Sequence, residues 1–146
     1  WRTILYKRES FRTAFDKFSP EKIADYGEAD VKRLLQDRSI VRSESKIRAT
    51  IGNARCYLKI METGKGAFSN YLWGFVNGNP IVESIECYRE HPVQSAESES
   101  LSKDLKDKGF KFCGPVITYA FMQAVGMVNG HEINCPRWRE VQALAR

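Results

Sequence analysis

Apolar residues recur at three- and four-residue spacings along most of the chain, the period of helices that bury one face. Residues 2–17 carry Ile4, Leu5, Phe11, Ala14 and Phe15 in this way, with Phe18 closing the run, and predict a helix ending before Ser19-Pro20. Ser19 as N-cap and Pro20 at the first helical position open a short helix through Tyr26. Asp30 is placed to cap a helix Val31–Asp37. Ser43 caps a longer one to about Met61, with Ile47, Ile51, Ala54, Tyr57, Leu58 and Met61 as its buried stripe. Gly64-Lys65-Gly66 ends that helix, and Phe68–Val76 forms the next. Asn77-Gly78-Asn79-Pro80 is a breaker, after which residues 81–97 lack helical periodicity and read as a long ordered loop or a short strand. Ser98, Ser100 or Ser102 then caps a helix Leu101–Lys108, followed by a second helix Val116–Val128. The pattern predicts an all-α bundle with one long irregular loop: a single domain over 1–135 and a C-terminal tail over 136–146.

The segment between the last two helices, Lys108-Gly109-Phe110-Lys111-Phe112-Cys113-Gly114-Pro115, is the most informative part of the chain. Two glycines five apart in a tight loop suit a hairpin at 109–115 that offers backbone N–H groups to a phosphate. Glycines admit special backbone angles and close approach, and a helix start favours an anion. On this reading Gly109 and Gly114 shape the loop, and the N–H groups of Cys113 and Gly114 face the anion. Phe110 and Phe112 anchor the helices, and Lys108 and Lys111 add charge. The same spacing also fits an ordinary αα-corner whose glycines only cap helices.

Composition changes this picture little. The 146 residues suffice for one core and are short for two domains. Lys and Arg number 23 against 18 Asp and Glu, a net charge of +5. That surplus suits a polyanionic partner, although it is common among other proteins. Cys56, Cys87, Cys113 and Cys135 form no CxxC pair, and a chain with an adequate core needs no disulfide framework, so a reducing cytosol is expected. No run of 18 apolar residues exists, and charges at Arg2, Lys7, Arg8, Glu9 and Arg12 argue against a signal peptide or membrane span. The first residue is Trp1 with a helical pattern already under way, which suggests that an N-terminal segment lies outside this sequence.

His131-x-x-x-Cys135 follows the second hairpin helix. An imidazole and a thiolate three residues apart have zinc-ligand spacing. A structural site needs four ligands, and nothing obvious supplies the other two; taken alone, such a pair is more often incidental than metallic.

Taken in order, a series of segments resembles the bacterial DNA-3-methyladenine glycosylase I family of the helix-hairpin-helix superfamily. They are Trp1 with Ile4-Leu5-Tyr6-Lys7-Arg8, Lys46-Ile47 with Ile51-Gly52-Asn53-Ala54-Arg55, Phe68, and Trp73-Gly74-Phe75-Val76-Asn77-Gly78. They continue through Leu101-Ser102-Lys103-Asp104-Leu105-Lys106, Gly109–Gly114, Tyr119-Ala120-Phe121-Met122-Gln123-Ala124 and Gly126-Met127-Val128-Asn129-Gly130-His131. The likeness runs from Trp1 to about Pro136. It implies a monofunctional enzyme that flips 3-methyladenine out of alkylated double-stranded DNA and hydrolyses its N-glycosidic bond, as a monomer in the bacterial cytoplasm.

Residue by residue, the resemblance assigns Trp1 to stacking on the extruded base, and Gly109, Lys111, Cys113 and Gly114 to the DNA backbone. His131 and Cys135 match two of the four ligands of a structural zinc. The remaining Cys and His, and the family's pocket glutamate and tyrosine, precede the tryptophan in the family, so no catalytic residue is assigned in this chain. Where bifunctional relatives carry a catalytic lysine, this chain has Val116, and the superfamily's usual aspartate falls at Asn129. A non-catalytic helix-hairpin-helix DNA-binding fragment is the rival reading. Among other aromatics, Trp73 is expected in the core, Tyr119 and Phe121 are expected to pack from the second hairpin helix against the first, and Trp138 in the tail receives no role.

Overall fold

The computed structural model describes residues 2–144, and it is mostly helical, as the pattern predicts. The chain divides into two compact units. The first runs to Lys65 and also takes Lys108–Phe112; the second holds Gly66–Asp107 and the chain from Cys113 onward.

The first unit contains α1 (Arg2–Tyr6), α2 (Arg8–Ala14), α3 (Pro20–Ala24), α4 (Glu28–Gln36) and α5 (Glu44–Met61). The one helix expected over 2–17 is therefore divided. Lys7 separates α1 from α2, and after Ala14 the chain makes a 3-10 turn, Asp16–Phe18, with φ values of 50°, 58° and 60°. Left-handed backbone costs an L-residue roughly 1–2 kcal/mol, so this turn needs support from elsewhere. The Tyr26 phenol donates to Asp16 Oδ2 at 2.5 Å, and the Phe15 and Phe18 rings stack with centroids 5.9 Å apart. Burial, with the Asp16 carboxylate as second cause, pushes the Tyr26 phenol up to about 12, so it remains a donor at neutral pH. The Phe15–Phe18 spacing is itself helical and Tyr26 lies 10 residues from Asp16, so apolar spacing alone does not show the break.

Ser19 and Pro20 start α3 as expected, the Ser19 hydroxyl accepting the Lys22 N–H at 3.5 Å. Arg55 closes the other end by donating to the Ala24 carbonyl at 2.8 Å. Helix α4 begins three residues earlier than Val31, because Asp30 acts from inside the first turn, accepting the Gly27 N–H at 3.2 Å. Helix α5 has the expected bounds. Helices α3 and α4 pack against α5 around Phe15, Ile23, Val31, Leu34, Ile47 and Ile51. Burying each such side chain contributes about 1.5–3 kcal/mol.

The second unit contains α6 (Ala67–Gly74), α7 (Ala96–Asp107), α8 (Pro115–Ala124) and α9 (Pro136–Ala143), with β1 (Ile81–Val82) and β2 (Val128–Asn129). The strands pair in parallel, Ile81 with Val128 and Val82 with Asn129. The helix expected to reach Val128 stops at Ala124. Gly126, at φ 83°, donates to the Gln123 carbonyl, and Met127 donates to Met122 at 2.8 Å. That is a Schellman ending, and it turns the chain into β2.

Helix α7 starts five residues before Leu101. Its true cap is a reciprocal pair: Ser98 N–H donates to Ser95 Oγ at 3.3 Å, and Ser95 N–H to Ser98 Oγ at 2.9 Å. Ser102 is thus a buried residue of the helix interior and caps nothing. Helices α7 and α8 pack on one another, burying Leu101, Leu105, Tyr119 and Met122. Tyr119 is buried in the packed pair of α7 and α8 as expected and Trp73 is half-buried, while Phe121 is 40% exposed. The segment after Cys135 forms α9, whose Trp138 indole donates to the Glu83 carbonyl at 2.9 Å. Two phenols brace the unit: Tyr71 donates to Asp104 at 2.6 Å, and Tyr119 donates to Glu83. Burial first, and these carboxylates second, push both phenols well above the ordinary tyrosine range. Among the described residues no helix is long and apolar enough to cross a membrane.

Candidate nucleic-acid interface

The glycine loop is divided between the units: Gly109 and Lys111 belong to the first, Cys113 and Gly114 to the second. In the second unit, Gly114 is the N-cap of α8 and Pro115 its first residue. The Cys113 carbonyl is pinned from the helix pair. Ser102 Oγ donates to it at 2.6 Å and Thr118 Oγ1 at 3.3 Å, and both residues are buried. Among the described residues no peptide bond is cis, so the N–H of Gly114 lies on the opposite side of that planar unit from the pinned carbonyl. The N–H groups of Val116 and Ile117 follow in the first turn, where a helix leaves donors without intrahelical partners, and both side chains are exposed. Three donors and the positive end of the α8 dipole thus gather at one helix start, an arrangement suited to a phosphate. Burial pushes the Cys113 thiol up, keeping it neutral.

The two glycines differ in what constrains them. Gly109 has φ 93°, and a Cβ there would meet Cys56 Sγ at 3.3 Å, so its lack of a side chain answers to the fold. Gly114 has φ −65° and ψ 160°, which any residue adopts, and a Cβ there would meet nothing within 4 Å. Among the described residues no contact requires glycine at Gly114, and the space beside it is open.

In the first unit the Lys111 side chain is exposed as expected, and its backbone is bonded by Asn53. Phe112 is 57% exposed at φ 58°, so it is not the helix anchor expected of it; Phe110 is half-buried. Sequence reasoning missed Ser102, Thr118 and Asn53. Ser102 was legible only as a polar residue in a helix start, since its acceptor lies eleven residues on across the hairpin.

The structure brings His131 and Cys135 together, with Cys135 Sγ 3.9 Å from His131 Nδ1. Sulfur and nitrogen ligands of one tetrahedral zinc would stand about 3.6 Å apart, given Zn–S near 2.3 Å and Zn–N near 2.0–2.1 Å. The pair therefore fits two ligand positions. Among the described residues no group of three or more His, Cys, Asp or Glu side chains is gathered for a metal. Trp1 lies outside the described residues. An apolar cleft of about 530 Å³ lies beside α1 and α2, and its charged lining residues are Arg8 and Lys46. Two cations give a cationic base no electrostatic gain there. Asn129 is buried, donating through Nδ2 to the Trp138 carbonyl at 2.9 Å and accepting the His131 N–H at 3.3 Å. Its amide is spent on the fold.

A family model described as methyladenine glycosylase matches residues 1–138. The chain is 47% identical over 135 residues to DNA-3-methyladenine glycosylase 1 of Escherichia coli (strain K12), covering 92% of this chain and 72% of that protein. A crystal structure of 3-methyladenine DNA glycosylase I superposes with a TM-score of 0.89 at 43% identity, covering 93% of this chain and 74% of the other. The Staphylococcus aureus 3-methyladenine DNA glycosylase I, solved to show how it recognises 3-methyladenine, gives a TM-score of 0.87 at 40% identity, over 93% of this chain and 72% of that one.

Proposed function

The chain belongs to the methyladenine glycosylase family, and on that premise we propose that it excises 3-methyladenine from alkylated double-stranded DNA as a monofunctional, monomeric glycosylase of the bacterial cytoplasm. The observation that carries DNA binding is Gly114: a helix cap with ordinary backbone angles, open space where a side chain would stand, and an N–H set opposite a carbonyl pinned by Ser102 and Thr118. Gly109, Lys111, Cys113 and Gly114 form the loop that follows the DNA backbone. Val116 offers no amine for a Schiff base and Asn129 no carboxylate, which agrees with a monofunctional enzyme.

The chemistry demands little acid catalysis. Methylation at N3 gives the base a positive charge. When the N9–C1′ bond breaks, its electron pair moves to N9 and neutralises the leaving base; water then adds to C1′ and loses a proton. The protein's work is to extrude and select the base. Trp1 is the stacking residue, and a cation over an indole face gains about 0.5–2 kcal/mol. Neutral adenine gains less, which supplies selectivity. The full-length protein is expected to release free 3-methyladenine from methylated duplex DNA, measured by chromatography of the liberated base. Salt-sensitive duplex binding with no released base would instead support the non-catalytic reading.

His131 and Cys135 would hold a structural zinc, a charge that ties the start of α9 to the segment after β2. Metal analysis of full-length protein is expected to find stoichiometric zinc, and Cys135→Ser to lower both zinc content and thermal midpoint. Metal-free protein of undiminished stability would refute the site.

A further inference from the structure

We propose that Asn53 is a positioning residue for DNA binding, holding the Lys108–Phe112 segment in its binding conformation before DNA arrives. This rests on the hairpin reading above. Asn53 lies on α5, 58 residues from its partner, and its amide grips both backbone groups of Lys111: Lys111 N–H donates to Oδ1 at 2.8 Å, and Nδ2 donates to the Lys111 carbonyl at 3.0 Å. The donor and acceptor of one residue fix which way the amide is turned. The pairing copies the exchange between two strands, with a side chain in place of one backbone.

A second contact on the same helix face supports it. Cys56, one turn on from Asn53, has its sulfur 3.3 Å from where a Cβ of Gly109 would stand. Helix α5 thus touches the segment at two points, Gly109 and Lys111. The segment needs such a seat, because Gly109 stands at φ 93° and Phe112 at φ 58°. A bulky residue in the left-handed region is an outlier that persists only when its surroundings impose it.

The expected consequence is one of population. If the binding conformation falls to about a tenth of molecules without Asn53, the apparent Kd rises about tenfold while the bound complex is unchanged. Asn53→Ala should therefore weaken binding of undamaged duplex about tenfold and raise KM on methylated duplex by a similar factor. The kcat at saturating DNA and the slope of log affinity against log salt should stay as in wild type. Asn53→Asp keeps the acceptor but sets a carboxylate oxygen against the Lys111 carbonyl, so it should bind no better than the alanine variant. Wild-type affinity in folded Asn53→Ala overturns the proposal, as does a loss in kcat with KM unchanged. If Asn53→Ala does not fold, hydrogen exchange on the unmodified protein decides: the Lys111 amide is protected in DNA-free protein, and fast exchange overturns the claim. A parallel titration of Gly114→Asp separates the two readings. If that variant binds as wild type, the hairpin reading fails and this inference with it. If it loses binding while Asn53→Ala does not, only Asn53 is misassigned.

Discussion

Gly114→Asp is expected to lower affinity for undamaged duplex DNA by about tenfold to a hundredfold without destabilising the protein. Losing hydrogen bonds from a backbone donor cluster to a charged oxygen costs about 1.5–3 kcal/mol, and each 1.4 kcal/mol is about tenfold in Kd. A carboxylate at the proposed phosphate site adds repulsion. The folded state has no matching objection. The φ of −65° and ψ of 160° suit any residue, and a Cβ finds nothing within 4 Å. Aspartate is moreover a better N-cap than glycine by a few tenths of a kcal/mol, and its charge suits the α8 dipole. Stability and binding should therefore part company, with the thermal midpoint level or raised and affinity lost. Fluorescence anisotropy against an undamaged duplex at several salt concentrations makes the measurement. Wild-type affinity in the variant would mean that no phosphate approaches the start of α8.

This outcome would also separate two roles that look identical in the sequence. Gly109 and Gly114 are equivalent letters in a loop motif, yet Cys56 constrains one and open space surrounds the other. Local signals were legible: the Ser19-Pro20 start of α3, the full span of α5, and the break at Asn77–Pro80 each depend on neighbours within a turn. What stayed hidden depends on distant partners. The left-handed Asp16–Phe18 turn needs Tyr26. The strands β1 and β2 are two residues each, too short to show a period, and their pairing spans 47 positions of sequence from Ile81 to Val128. Ser102 resembles a cap in sequence because serine is a common cap. Its role appears only once α8 brings the Cys113 carbonyl to it. The loop followed the same division: its two glycines stand out in the sequence, whereas Ser102, Thr118 and Asn53 show as its backbone partners only in the folded chain.

Asn129 carries the second large expectation. The resemblance puts the superfamily's aspartate at this position, so placing a carboxylate there is an obvious route to a broader enzyme. The structure argues that Asn129→Asp would damage the fold and add no catalysis. Asn129 is 2% exposed in β2. Its Nδ2 donates to the Trp138 carbonyl at 2.9 Å, which joins β2 to α9, and its Oδ1 accepts the His131 N–H at 3.3 Å. A carboxylate keeps the second bond and loses the first. It also turns a buried charged oxygen toward the Trp138 carbonyl, at a cost of about 3–5 kcal/mol. In a domain whose whole stability is about 5–15 kcal/mol, that loss is severe. Urea unfolding at neutral pH should show a midpoint far below wild type, and excision per folded molecule should not rise for neutral or cationic lesions. A variant as stable as wild type, or one that gained activity on an uncharged base, would show that this side chain faces the reaction and not the Trp138 carbonyl.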